Sequence, residues 1–178
     1  MNADNALDDG WPRAIFDALK ALDVSQVAYV PDAGHKQLIE MAHADAAIKA
    51  TTLTTEQEGI GLSAGAWLGG ERTAVLMQSS GVGNCANALA SVTKACQFPL
   101  LMLVTMRGEA GEGNPWQIPM GEATGPLLKL FGVRVSMLSH AADAGHITTS
   151  AGRLAFEDGQ STAILIRQRL IGVKAFEE

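Results

Sequence analysis

The residues of this 178-residue sequence that could do chemistry fall in four short stretches. The stretch Thr54-Thr55-Glu56-Gln57-Glu58-Gly59-Ile60-Gly61 places two carboxylates where a helix should begin. A local use is at hand for both. Thr55 and Glu58 fit an S/T-x-x-E capping box, and an acid in a first turn suits the helix dipole. On those grounds alone Glu56 reads as structural. The stretch Gln78-Ser79-Ser80-Gly81-Val82-Gly83-Asn84-Cys85-Ala86 carries G-x-G-x-x-G/A at Gly81, Gly83 and Ala86, the pattern of a nicotinamide dinucleotide fingerprint. It follows a third strand instead of a first, and the next strand ends in Thr105-Met106-Arg107, with no acid for a ribose. A plainer reading is a tight strand-to-helix turn that needs glycine for its backbone angles. Pro31-Asp32-Ala33-Gly34-His35 is either a simple turn or a setting for His35, which can titrate near neutrality, at the head of a helix. Arg107 to Gly121 is punctuated by Gly108, Gly111, Gly113, Pro115 and Pro119, a loop of the length that is usually functional or disordered. His43, His140 and His146 show no ligand spacing. Cys85 and Cys96 make neither a disulfide framework nor a zinc cluster.

The elements that must position these stretches alternate. Apolar periodicity predicts helices over 11–22, 35–43, 55–69, 83–95, 122–131 and 141–156. Apolar runs predict strands over 26–30, within 46–53, and over 73–78, 99–105, 133–138 and 162–167, followed by an irregular tail. Continuous apolar strands alternating with helices imply an α/β fold. It is a three-layer α/β/α domain around a six-stranded, mainly parallel sheet. Ligands in such sheets bind beyond the carboxyl ends of the strands, and all four stretches fall there. Residues 1–10 read as a flexible N-terminus and 11–178 as a single domain. Gly61, Gly65 and Gly69 recur four apart along one helix face. Interior glycines each cost about 0.5–1 kcal/mol relative to alanine, so this face implies close packing or a subunit interface.

Composition narrows the class. Charged residues are 18% and apolar residues 47%, which excludes a disordered chain and suggests apolar surface covered by another subunit. A net charge of −6 argues against nucleic acid as the main partner. The apolar run Pro99–Val104 is far short of the ~20 residues a membrane span needs. An acidic, polar start without a secretory signal, together with two isolated thiols, fits a reducing cytoplasm.

In combination the stretches resemble a known family. V-P-D-A-G-H (30–35), T-E-Q-E-G-I-G-L-S-A-G-A (55–66), A-V-L-M-Q-S-S-G-V-G-N-C-A-N-A-L-A-S (74–91) and R-G-E-A-G-E-G-N-P-W-Q-I-P-M-G-E-A-T (107–124) are similar to the pyrimidine-binding domain of thiamine diphosphate enzymes. The likeness is strongest to the alpha subunits of sulfopyruvate decarboxylases and to the related phosphonopyruvate decarboxylases. Its most specific mark is a glutamate nine residues before the glycine of A-G-A, here Glu56 and Gly65.

The resemblance implies that Glu56 is catalytic and binds the cofactor. Thiamine diphosphate must lose a proton from a poorly acidic thiazolium carbon. Its own aminopyrimidine takes that proton only in the imino form, which a carboxylate at the pyrimidine ring nitrogen favours in a dry site. Gln78, Ser80, Gly81, Gly83 and Asn84 are the further cofactor-binding residues so implied. His35 (also as a catalytic residue), Arg107 and Gln117 fall on the substrate side. His35 and Arg107 are expected to meet the anionic head group of the substrate. Many relatives have paired histidines where this chain has Trp116-Gln117, so the proton relay differs. The family's diphosphate- and Mg2+-binding G-D-G with a later asparagine is absent. Glu157-Asp158-Gly159-Gln160 is the nearest match. A beta subunit is therefore expected to bring the metal, with none bound by this chain. The implied reaction is the decarboxylation of 3-sulfopyruvate to sulfoacetaldehyde and CO2. Phosphonopyruvate or another 2-keto acid as substrate, a non-catalytic regulatory or assembly subunit, and a nicotinamide-binding oxidoreductase are the alternatives.

Overall fold

The computed structural model describes residues 10–172, so the expectations for 1–9 and 173–178 lie outside the described residues. The chain runs α1 (Trp11–Ala21), β1 (Val24–Tyr29), α2 (Lys36–Ala44), β2 (Lys49–Thr52), α3 (Glu56–Leu68) and β3 (Arg72–Gln78). It continues through α4 (Ser79–Asn84), α5 (Ala86–Ala88), β4 (Leu100–Thr105), α6 (Ile118–Leu130), β5 (Arg134–Leu138), α7 (Ala144–Phe156), β6 (Ser161–Ile166) and α8 (Gln168–Ile171). All six expected strands form, in one wholly parallel sheet of order β2-β1-β3-β4-β6-β5. Every residue of the central strand β4 is buried, as a parallel strand covered on both faces requires.

Strand side chains alternate between two cores. Leu76, Leu101, Leu103, Ile164 and Ile166 pack with Ile15 and Leu19 of α1, Leu38 of α2 and Ala151 of α7. Val75, Met77, Met102, Val104 and Leu165 pack on the opposite face with Ile60 of α3, Val82 of α4 and Leu128 of α6. This gives the expected three layers. The chain reverses its order of addition between β1 and β3, and that switch point opens a crevice at the carboxyl edge.

Two segments differ from the sequence expectation. The stretch after β3 is already helical from Ser79, and the expected helix over 83–95 breaks into α4, α5 and a π-helical stretch Leu89–Lys94. α6 begins at Ile118, inside the expected loop. Its Pro119 sits in the first turn, where the missing N–H has no helical partner to lose. Gly121, on the same helix, faces the end of β4. A Cβ there would overlap the backbone oxygen of Arg107.

Of the two readings of the α3 glycine face, close packing within the chain is not the one the structure shows. A Cβ at Gly61 or Gly65 would meet nothing within 4 Å, and Leu68 on the same face is 75% exposed. Close packing against the sheet falls instead to Gly59, where a Cβ would lie 2.7 Å from Val75 Cγ1. Gly69 ends the helix, with its N–H donating to the Gly65 carbonyl at 3.1 Å. No described helix is long and apolar enough to cross a membrane.

Candidate active site

Glu56 is the first residue of α3, and the turn preceding it leads in from the carboxyl end of β2. Thr55 caps the helix in an extended conformation, without a side-chain bond. Glu58 closes the turn, its Oε2 accepting from the Thr54 N–H at 2.8 Å, one residue earlier than a regular capping box would place the bond. That leaves Glu56 free of the backbone. Its Oε2 accepts from Asn84 Nδ2 at 2.8 Å. Its other oxygen, Oε1, lies over Gly81, where a Cβ would overlap the carboxylate.

The glycine requirement at Gly81 and Gly83 is therefore spatial. Neither belongs to the positive-φ glycines, so the expected need for special backbone angles is corrected. Gly81 clears the Glu56 carboxylate. Gly83 faces α6, where a Cβ would stand 3.2 Å from Met120 Cε.

A polar line crosses the crevice between β1, β3 and β4. Thr105 Oγ1 donates to Asp32 Oδ2 at 2.6 Å, and Gln78 Nε2 donates to Asp32 Oδ1 at 3.2 Å. Gln78 Oε1 in turn accepts from Ser80 Oγ at 2.9 Å and from Gln117 Nε2 at 3.2 Å. The carboxyl edge thus brings together Gln78, Ser80 and Gln117 in one network, and Glu56, Gly81 and Asn84 in one cluster. Asp32 sits at the centre of the network and was legible in sequence only as a turn residue. Its one signal was a carboxylate directly after a buried strand, at the ligand edge.

His35 and Arg107 are not placed as expected. His35 is fully buried, with Nε2 3.1 Å from the Leu103 carbonyl oxygen. A carbonyl only accepts, so Nε2 carries the proton. Burial pushes the ring's pKa below its ordinary value, opposed by the charge of Asp32 and the Leu103 carbonyl. A neutral ring under the sheet edge cannot meet a substrate anion. Arg107 is 9% exposed, and its guanidinium forks onto Glu112 through Nε at 2.8 Å and Nη2 at 2.5 Å. Its charge is spent on this chain's own loop. Trp116 beside Gln117 is 73% exposed and faces away from the core.

The residues fit one part of the implied cofactor. A carboxylate held through one oxygen by an amide suits a ring nitrogen that carries a proton. No described group of three or more His, Cys, Asp or Glu could hold a metal ion. Glu157-Asp158-Gly159-Gln160 leads into the amino end of β6, at the opposite sheet edge from Glu56.

The fold is a parallel α/β domain with a carboxylate, Glu56, at the carboxyl edge of its sheet. Residues 12–126 match the family of thiamine pyrophosphate enzymes, N-terminal TPP binding domain, and the chain belongs to that family. Sulfopyruvate decarboxylase subunit alpha of Methanothermobacter thermautotrophicus is 33% identical over 153 residues, covering 86% of this chain and 93% of that protein. Phosphonopyruvate decarboxylase of Streptomyces viridochromogenes is 36% identical over 136 residues, which is 76% of this chain and 34% of that protein. Among solved structures, the 2-oxoglutarate:ferredoxin oxidoreductase of Magnetococcus marinus superposes with a TM-score of 0.73 at 13% identity, covering 91% of this chain and 29% of that one. At that identity the likeness concerns the fold.

Proposed function

We propose that this chain is the alpha subunit of a thiamine diphosphate-dependent decarboxylase that converts 3-sulfopyruvate to sulfoacetaldehyde and CO2. The observation that carries the proposal is the Glu56 carboxylate, held by Asn84 and cleared by Gly81 at the mouth of the crevice. Similarity along 93% of a relative named as a sulfopyruvate decarboxylase subunit supports the substrate and the subunit arrangement.

When bound, thiamine diphosphate would supply the thiazolium carbon that attacks the substrate and the electron sink for carbon–carbon cleavage. The chain's own residues do the rest. Glu56 would hold the proton shared with the pyrimidine ring nitrogen. Asn84 orients the carboxylate by occupying Oε2, which leaves Oε1 for that proton. Gly81 makes the room in which the Glu56 carboxylate sits, and Gly83 lets α4 pack against Met120 of α6. Gln78, Ser80, Gln117 and Asp32 line the crevice as a preset hydrogen-bonded group. They can orient a keto acid without reorganising, which is where preorganised polar groups act best.

A beta subunit would supply the ligands for the diphosphate and Mg2+. Two features of this chain support a covering partner. The Gly61–Gly65–Leu68 face of α3 is open, and Trp116 and Ile118 expose apolar surface beside the crevice. A cytoplasmic heteromer is the setting that fits this reading. Phosphonopyruvate is the second substrate to consider, since a relative acting on it by name is 36% identical over 76% of this chain.

The test is co-expression with the adjacent reading frame, followed by assay of CO2 release from 3-sulfopyruvate. The assembled protein is expected to decarboxylate only with thiamine diphosphate and Mg2+ present. The isolated chain is expected to bind the cofactor weakly or not at all by calorimetry. Micromolar, Mg2+-dependent binding by the isolated chain would contradict the division of labour. Faster turnover of phosphonopyruvate than of 3-sulfopyruvate would reassign the substrate.

A further inference from the structure

We propose that Glu112, together with Gln168, is a positioning residue for the substrate side of the crevice. It anchors the loop after β4 so that Gln117 meets Gln78.

The loop between Arg107 and Gln117 carries glycines that should leave it loose. The structure closes it around one carboxylate. Glu112 accepts from Arg107 Nε at 2.8 Å and Nη2 at 2.5 Å, from the Gly108 N–H at 3.1 Å, from the Asn114 N–H at 2.9 Å and from Gln168 Nε2 at 3.0 Å. These donors come from the start of the loop, its end and the segment after β6. The Glu112 side chain is 2% exposed. A buried carboxylate without partners would be costly, and here every donor of the group is in place. The Arg107 guanidinium holds this carboxyl at about 2, so it stays charged across the ordinary working range.

Gln168 ties the same loop to the sheet a second time. It is 1% exposed, its Oε1 accepts from the Glu109 N–H at 2.9 Å, and its own N–H donates to Glu109 Oε2 at 2.9 Å. Arg167 Nη1 completes the clamp on Glu109 Oε1 at 2.8 Å. The result is a loop folded back on itself. Gly108, at φ +79°, abuts the backbone of Gln117 and Ile118, so that a Cβ there would lie 2.7 Å from Ile118 Cα. Gln117 is thereby delivered to Gln78, whose amide also holds Asp32. Glu112 touches none of the crevice network itself, so its influence passes through the loop backbone.

This inference rests on the proposed decarboxylase for its catalytic meaning, and its test separates the two. In Glu112→Gln the amide cannot match five donors, and its own NH2 opposes the guanidinium. In the isolated chain, amide hydrogen exchange over residues 107–117 should quicken at least about tenfold while β3 and β4 keep their protection. In the assembled enzyme, kcat/KM for 3-sulfopyruvate should fall at least about tenfold, while exchange of the cofactor's thiazolium proton stays within about twofold, because Glu56 is untouched. Glu112→Asp, which keeps the charge, should recover part of the loss. Gln168→Ala leaves the Arg107–Glu112 pair intact and provides the same readouts if Glu112→Gln does not fold. Unchanged loop protection would overturn the anchor. So would unchanged kcat/KM, or a parallel fall in thiazolium exchange. The loop measurement needs no substrate. A wild-type protein that fails to decarboxylate would sink the proposed reaction, while unchanged loop protection would sink the anchor.

Discussion

Glu56→Gln is expected to fold normally and to lose roughly two to four orders of magnitude in decarboxylation, the range by which positioned proton-transfer groups contribute. The structural cost is small. Glutamine occupies nearly the same volume and can still accept from Asn84 Nδ2 through its carbonyl oxygen. What it forfeits is a negative charge in the first turn of α3, worth about 0.3–1 kcal/mol against the helix dipole. The chemical cost is far larger, because an amide cannot hold a proton shared with the pyrimidine ring nitrogen. Deuterium exchange at the thiazolium carbon in the assembled enzyme reads this step directly. Exchange at the wild-type rate would remove Glu56 from the mechanism.

Gly81→Ala is expected to inactivate almost as fully, with little change in stability. Gly81 lies within α4 and outside the positive-φ glycines, so alanine fits its backbone and should favour the helix by about 0.5–1 kcal/mol. The nearest neighbours of the new methyl group are Oε1, Cδ and Cγ of Glu56, a half-buried side chain. That side chain can swing away at the cost of its bond to Asn84, net about 0.5–1.5 kcal/mol. The fold therefore absorbs the substitution, and the displaced carboxylate loses its place. The gain and the loss nearly cancel, so thermal denaturation should give a Tm within a few degrees of wild type, beside a loss of turnover near that of Glu56→Gln. The double variant Gly81→Ala/Glu56→Gln should be little worse than either single one, since both act on one carboxylate. Fully additive losses would show that Gly81 serves a separate purpose.

The sheet was legible because its strands are short apolar runs bounded by turn residues. β4 shows this best, as Leu-Leu-Met-Leu-Val-Thr buried throughout. Helix boundaries were less legible where glycine and proline carry tertiary meaning. Pro119 and Gly121 read as loop residues, yet both lie inside α6. Proline suits a first turn, and Gly121 is there for the nearness of Arg107 O. The glycines of α3 marked a shared face but left open whether it packs within the chain. Gly61 and Gly65 recur with a helical period but touch nothing in this chain, while Gly59 packs on Val75. Periodicity reports which residues share a face. It does not report what that face meets.

The sequence by itself determined the α/β class, the loops that gather at the carboxyl edge and the position of Glu56, because strand runs, turn residues and a motif of fixed spacing are local properties. It could not say which polar groups are free to act. His35 and Arg107 look like available cations in the chain. In the fold one is a neutral ring bonded to the Leu103 carbonyl 68 residues away, and the other is locked onto Glu112. Asp32 looks like a turn residue, yet it accepts from Thr105, 73 residues further on. Burial and partner choice are set by which strands lie side by side. The order β2-β1-β3-β4-β6-β5 sets Asp32 beside Gln78 and Thr105, a meeting of distant segments that no local window of residues encodes.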